Sequence, residues 1–583
     1  MTLISDKRYP RTLDTLVHRL LTLGDGTREV EAWFFDDLGD RRRAEGLLAA
    51  AGIRPRLRSA YRPLVHFFLE DLEDEVQEAV AVSVDYPVVA ETITHRFLLE
   101  CYPLAGLFPG LRFSFAARRQ ETPLYQVTLT SASGQQRLHQ VFAPNRQHLD
   151  QIDETHFSPT GWLKRVGQDG SLLEDGPLLT DYQLLFADTV AIIDAHPWRQ
   201  SQPFFDELNI AVILPGGELP LSYGLETISR HEALHEDLYF SLLELFQRRA
   251  GRPLGDRGLQ PGQIVPEVRS GDGPPRVTIA ARPLDGEDIA GPPQDLATAT
   301  APLAPEQIMA ELQSIGGEAF AATSRAGRRI LATYRQGADF PVMISGGQHA
   351  NETSGVVGAL RAARILATRP QAHFTVAPLE NPDGYALHRR LIRDNPSHMH
   401  HAARYTALGD DLGHRRSDLD EAAIRSQARR LSGAQLHLNL HGYPSHEWTR
   451  PLSGYLPRGF AMWTLPKGFF LILRHHLAWQ ERGERFLDQL ARRLAEQPGL
   501  VDFNARQIEI SGRHGGGAGW RLLHGFPCLL EPGDEGPVPL ELISEYPDET
   551  CYDHHFVAAH DAQTATVLAA YEIFQKLMAG KNG

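Results

Sequence analysis

At 583 residues the chain is too long for one hydrophobic core, so two or three domains are expected. Its apolar fraction of 42% is ordinary for a soluble globular protein, and a net charge of −15 argues against nucleic acid as a partner. Three cysteines, Cys101, Cys528 and Cys551, make neither a disulfide framework nor a Cys-x-x-Cys motif, which suits a reducing compartment. No apolar run approaches membrane-spanning length and the N-terminal stretch has no apolar signal core. The expectation is a cytoplasmic protein with no membrane partner.

Residues 1 to about 75 read as mostly helical, with Leu13, Leu16, Leu20 and Leu21 marking one face. From 76 to 145 the period falls to two. Val80, Val82 and Val84 alternate, as do Leu111, Phe113 and Phe115, then Tyr125, Val127 and Leu129, and Ser131 to Gly134 reads as a turn. That pattern predicts an antiparallel sheet with one wet face. Apolar runs follow at Tyr182–Ile193 and Leu208–Leu214. Residues 1–250 together predict an α+β region. It reads as an inert scaffold or as a module for gating substrate or forming a homo-oligomer.

Within that region His231-Glu232-Ala233-Leu234-His235 is a literal H-E-x-x-H. On a helix its histidines share a face one turn apart, as a zinc peptidase with a glutamate base requires. However, Glu236 follows the second histidine and no third ligand stands nearby, so the stretch reads as a surface helix. Residues 251–302 are rich in proline and glycine, which predicts a linker. A second domain is expected over 303–583, entered by a helix at Gln307–Ile315 and a strand at Arg329–Tyr334.

The densest chemistry lies in that second region. The apolar run Phe340–Ile344 leads into Gly346-Gly347-Gln348-His349-Ala350-Asn351-Glu352, and Val356, Ala359, Leu360, Ala363 and Leu366 recur at helical spacing. Strand, tight turn and helix put His349 and Glu352 past the carboxyl end of a parallel strand, where α/β sheets bind ligands. Imidazole plus carboxylate is a zinc-ligand pair, and a catalytic zinc needs a third protein ligand. The pair alone reads more readily as the acidic first turn of a surface helix. Leu436, Leu438 and Leu440 alternate on a strand whose other face carries His437, Asn439 and His441. Only His441 stands at the strand's end, and His437 reads as a packed strand histidine. Glu531 closes another apolar strand, Phe526–Leu530, with Asp534 and Glu535 as rivals in the loop beyond.

Taken with Asn381-Pro382-Asp383-Gly384, Arg390-Leu-Ile-Arg393, His441-Gly442-Tyr443 and Pro527-Cys-Leu-Leu-Glu531-Pro532, the chain from 303 to 583 resembles the zinc carboxypeptidase A family of metallopeptidases. The resemblance implies a mixed sheet flanked by helices and one Zn²⁺ per chain on His349, Glu352 and His441. It makes Glu531 the general base that activates water for amide hydrolysis. By the same match Arg393 is the oxyanion arginine, Arg390 a substrate-side arginine, and Arg415 the partner of a substrate's terminal carboxylate. The implied substrate is a peptide or small amide.

Several features depart from the family. The asparagine before the carboxylate-binding arginine is missing, and the tyrosine before Gly515–Trp520 is absent. Ala518, at the side-chain-selecting position, carries no charge. His398-Met-His-His401 reads as polar loop residues that could line the cleft. The GGQHANET wording also resembles the aspartoacylase and succinylglutamate desuccinylase branch, which would make the protein an amidase for small N-acyl amino acids. A non-catalytic binding protein on a peptidase scaffold is a third reading.

Overall fold

The computed structural model describes residues 1–580 except 23, 25, 90–94, 285–287, 416, 457–463, 517, 518, 534 and 535. The first 282 residues build three four-stranded sheets. One has the order Thr2–Arg8, Arg276–Arg282, Glu207–Leu214 and Gln263–Ser270. The second runs Leu172–Leu178, Gly161–Gly167, Thr27–Phe34 and Arg54–Ser59, and the third Arg112–Arg119, Ala79–Val88, Leu124–Ser131 and Gln136–Phe142.

Two expectations are corrected here. The first 75 residues are not mainly helical. Thr2–Arg8, Thr27–Phe34 and Arg54–Ser59 are strands between the helices Thr12–Thr22 and Leu38–Ala50. In the second of these strands Val30, Ala32 and Phe34 are buried between half-exposed glutamates, a period-two pattern that short length and high charge conceal. Nor is 251–302 a linker throughout. Gln263–Ser270 and Arg276–Arg282 are strands of the first sheet, and Gly271–Pro275 carries the chain across the end of Glu207–Leu214. Proline is tolerated at Pro266 because that strand is an edge. The third sheet is mixed, because Ala79–Val88 pairs in parallel with Arg112–Arg119.

The second half contains a nine-stranded sheet. Its strands are β1 (Glu318–Thr323), β2 (Arg329–Arg335), β3 (Val342–Gly346), β4 (Phe374–Ala377), β5 (Leu436–Pro444), β6 (Phe470–His475), β7 (Arg521–Leu523), β8 (Phe526–Pro532) and β9 (Leu540–Glu549). They lie in the order β1-β2-β4-β3-β5-β9-β6-β8-β7. The central strands β4, β3, β5 and β9 are parallel, while β6 runs against β9 and β8 runs with β6. This is the mixed sheet the motifs predicted. Strand direction decides which residues can meet, because the adjacent central strands β4, β3, β5 and β9 point their carboxyl ends to one edge while β6 and β8 point theirs to the other.

The halves are joined by apolar packing. Leu387, Leu391, Ala403, Tyr405, Trp448 and Leu452 of the second half pack into the apolar cluster of the first. Helix α1 (Arg230–Arg249) lies at this junction, buried along most of its length. Its acidic side chains are spent on the second half. Glu244 pairs with Arg450 at 2.9 Å, and Asp237 accepts the backbone amides of Leu452 and Ser453 at 3.0 and 2.9 Å. Among the described residues no helix is long and apolar enough to cross a membrane.

Candidate metal centre

At the end of β3 the chain reverses through Gly347 at φ +60°, where a Cβ would also lie 2.7 Å from Leu379 Cδ1. The turn delivers His349 and Glu352 to the carboxyl edge of the parallel strands. Helix α2 (Ser354–Ala367) begins at once, and Ser354 donates its amide to Asp548 Oδ2 at 2.9 Å. On β5, Leu436, Leu438 and Leu440 face the core, while His437, Asn439 and His441 line a cavity of about 800 Å³ on the other face. Gly442 has no alternative, because a Cβ there would lie 1.8 Å from Asp548 Oδ1.

Nδ1 of His349 lies 2.8 Å from Glu352 Oε1, and Nδ1 of His441 lies 2.8 Å from Glu352 Oε2. The two Nδ1 atoms are 3.0 Å apart, and all three residues are buried. Ligand atoms about 2.0–2.1 Å from a tetrahedral zinc stand roughly 3.4 Å from one another, so this donor set fits such an ion with a small spread. The surrounding charge favours a cation as well. Glu545, Asp548 and Glu549 are buried nearby, and Glu545 Oε2, Asp548 Oδ1 and Glu549 Oε1 lack hydrogen-bond partners. Burial, reinforced by Glu352, pushes the carboxyls of Glu545 and Glu549 well above the usual range, and burial carries Asp548 up to about 8. A divalent cation at the cluster opposes those shifts and favours the carboxylates.

Two further groups hold the cluster. Asp411 Oδ1 accepts from Nε2 of His349 at 3.3 Å and from the amide of Gly413 at 2.9 Å. Burial would raise Asp411, but His349, Arg404 and Arg257 hold it well below its ordinary value. This is the outer carboxylate that fixes a metal-binding imidazole. Arg404 places Nη1 2.5 Å from Glu352 Oε1 and 3.7 Å from Glu549 Oε1. It lines the cavity and faces the cluster. Glu545 stands beside His441 in register across β5 and β9, on the same pleat, and also lines the cavity. Neighbouring strands are about 4.8 Å apart, so its carboxylate faces the cluster at close range.

Of the other expected site residues, Arg415 lines the same cavity, while Glu531, Arg390 and Arg393 do not. Glu531 is on β8, which runs opposite to β5, and it pairs in the exposed rim with Arg474 at 3.0 Å. The register Glu531–Arg474–Glu541–His437 puts it four residues back from His441 and three strands across. That is about 13 Å along the strands and about 14 Å across them. Arg393 is exposed and does not line the cavity. Arg390 faces the first half, where it holds Glu207 at 3.0 Å and Glu267 at 3.1 Å. Arg415 is locked between Asp410 and Glu421, so two carboxylates already occupy the cation assigned to a substrate. Ala518, Asp534 and Glu535 lie outside the described residues.

The His231–His235 stretch is helical, as its pattern predicts, but it is not a surface helix. Glu232 is 2.6 Å from Nε2 of His446, and His235 Nδ1 meets the Pro266 carbonyl at 2.9 Å. His437 is the packed strand histidine expected, bonded to Ser345 Oγ at 2.7 Å. Met399 and His401 reach the cavity, while His398 turns to Glu218 at 2.7 Å. Among the described residues one other metal-sized group exists, Asp150 with Glu154 and His156, in the partly exposed turn of a hairpin.

No family model matches the chain, and no curated protein matches it in sequence. Solved structures do. A metallo-carboxypeptidase from Burkholderia cenocepacia is similar at 15% identity and TM-score 0.28, over 52% of this chain and 77% of that one. A succinylglutamate desuccinylase/aspartoacylase from Rhodobacter sphaeroides is similar at 13% identity and TM-score 0.23, over 44% of this chain and 65% of that one. At these scores the likeness assigns no chemistry, which rests on the side chains themselves.

Proposed function

We propose that the chain is a zinc-dependent amide hydrolase of carboxypeptidase type, with His349, Glu352 and His441 as the residues that hold the metal. The observation carrying this reading is the convergence of two imidazole Nδ1 atoms and a carboxylate, with Glu545 alongside on the next parallel strand. A zinc ion bound there supplies Lewis acidity for the scissile carbonyl and lowers the pKa of water.

The protein's own groups do the rest. Glu545 takes the proton from the attacking water and returns it to the leaving nitrogen, the role of a carboxylate placed beside a metal rather than on it. Arg404 neutralises Glu352 and offers positive charge to the oxyanion, where a fixed donor is worth several kcal/mol in a dry site. Asp411 keeps His349 in one tautomer. Arg257 of the first half also lines the cavity.

The deciding experiment is turnover of matched substrates by the zinc-loaded protein. Release of the C-terminal residue from blocked dipeptides, lost when that carboxylate is amidated, is the expected result. Cleavage confined to small N-acyl amino acids instead assigns the protein to the amidase reading.

A further inference from the structure

The second sheet of the first half has two faces of opposite character. One packs Val30, Ala32, Leu57 and Leu163 into an apolar core. The other carries two cross-strand rows. Trp162, Trp33 and Arg58 lie side by side on neighbouring strands, and Lys164, Glu31 and Arg56 form the next row. Asp175 continues that second row on the edge strand. Both rows line a cleft of about 460 Å³, closed by the helix Pro63–Glu70 and by Phe142 of the third sheet. That is the size of a small-molecule site, and the cleft shares no residue with the cavity at the metal centre.

The aromatic wall of the cleft is held in one orientation. Phe142 packs at right angles to both indoles, its ring centre 5.4 Å from Trp33 and 5.2 Å from Trp162. Trp162 Nε1 donates to Asp175 Oδ1 at 2.7 Å, which fixes a side chain that is only half-buried.

The charges around this wall balance. Glu70 is engaged by Arg41 at 2.7 and 2.9 Å and by His66 at 2.6 Å. Arg58 bridges Glu31 at 3.2 Å and Asp71 at 2.6 Å. Arg56, Arg58 and Lys164 then stand against Glu31, Asp71 and Asp175. An anion meets three carboxylates here and a cation meets three cations, so neither sign of ligand is favoured. The lining offers donors and acceptors alternating at the strand spacing of about 4.8 Å, beside an aromatic surface. A ring with an apolar face and a hydroxylated rim satisfies both features. Its C–H groups meet the negative face of an indole. Its hydroxyls, each a donor and an acceptor, bond to cations and carboxylates alike.

We infer that this cleft binds a neutral carbohydrate, with one sugar ring against Trp162 and its hydroxyls on Asp175, Lys164 and Glu31. The inference uses no part of the hydrolase reading. It gives the first half a ligand of its own, separate from the metal centre.

The test is calorimetric titration of cellobiose, maltose and N,N′-diacetylchitobiose into the full-length protein, with inorganic phosphate as a charged probe at constant ionic strength. The expected result is binding of at least one disaccharide, with no competition from phosphate. Trp162→Ala should weaken that binding about tenfold, and Trp162→Phe, which keeps an aromatic face, should recover part of it. Lys164→Met keeps the stem of a half-buried side chain and should also cost about tenfold, the worth of one hydrogen bond to a charged group. Circular dichroism checks the fold of each variant, and if Trp162→Ala does not fold, Lys164→Met decides. Failure of all three disaccharides to bind at millimolar concentration overturns the inference. So does affinity unchanged in the folded variants, and so does phosphate binding that depends on Lys164, since the cleft is then an anion site.

Discussion

The general base is the sharpest point to test, because two glutamates compete for the role and the strand directions separate them. Glu545→Gln preserves size and removes the proton acceptor next to His441. The loss expected for a general base is about 10²–10⁴ in kcat, or roughly 3–5 kcal/mol of barrier. Zinc content should hold, since Glu545 is not one of the three converging ligands. Glu531→Gln is the control. It lies about 20 Å from His441 by the register arithmetic. At that distance a unit charge in water contributes about 0.2 kcal/mol before salt screening, less than a twofold effect on rate. The mutation also leaves Arg474 its second carboxylate, Glu541, at 3.5 Å. The assay is kcat on a blocked dipeptide with parallel elemental analysis. An active Glu545→Gln together with an inactive Glu531→Gln would refute the strand-direction argument outright.

The remaining predictions are simpler. His441→Ala should lose most of its zinc by elemental analysis while His231→Ala keeps it, and the opposite pattern would move the metal to α1. Stability should fall as pH rises from about 6 to 9. Burial lowers the pKa of His446, but Glu232, Glu226 and Glu447 outweigh it and raise the pKa from 6.5 to about 9. A raised folded value means that the stabilisation is complete below 6.5 and is lost as pH passes 9. The amount is on the order of 3 kcal/mol. Glu447, pushed up to about 8 by burial, acts in the same direction between about 4.5 and 8. Urea midpoints at pH 6 and 9 should therefore differ for wild type and differ less for His446→Gln, and equal slopes would remove His446 from the account.

Local text was enough for the segments that carry the candidate ligands, though not for the short charged strands Thr27–Phe34 and Arg54–Ser59. The glycines and the apolar run before His349, and the helical spacing after Glu352, encode strand, turn and helix, and so put both ligands at one sheet edge. The alternation around Leu436–Leu440 likewise puts His437 and His441 on one face, and position toward the carboxyl end of the strand chooses His441. Four-residue spacing and an N-terminal serine at α1 make the H-E-x-x-H stretch a helix, whichever half it packs against.

What the tertiary structure alone decided is direction and partnership. Glu531 lies near the end of the seven-residue strand Phe526–Pro532, and Glu545 lies within the ten-residue strand Leu540–Glu549. Period, composition and distance along the chain do not say that β8 runs down while β9 runs up, because strand order is set by packing between segments far apart in sequence. The arginines illustrate the same limit. Arg390 and Arg415 stand in motif-like text, yet Glu207 and Glu267 claim the first and Asp410 and Glu421 the second. Arg404 and Arg257 lie in text with no motif, yet Arg404 lines the cavity against Glu352 and Arg257 reaches it from the first half. A cation's role depends on which carboxylates have already neutralised it, and the folded chain settles that by bringing together residues as distant as 207 and 390.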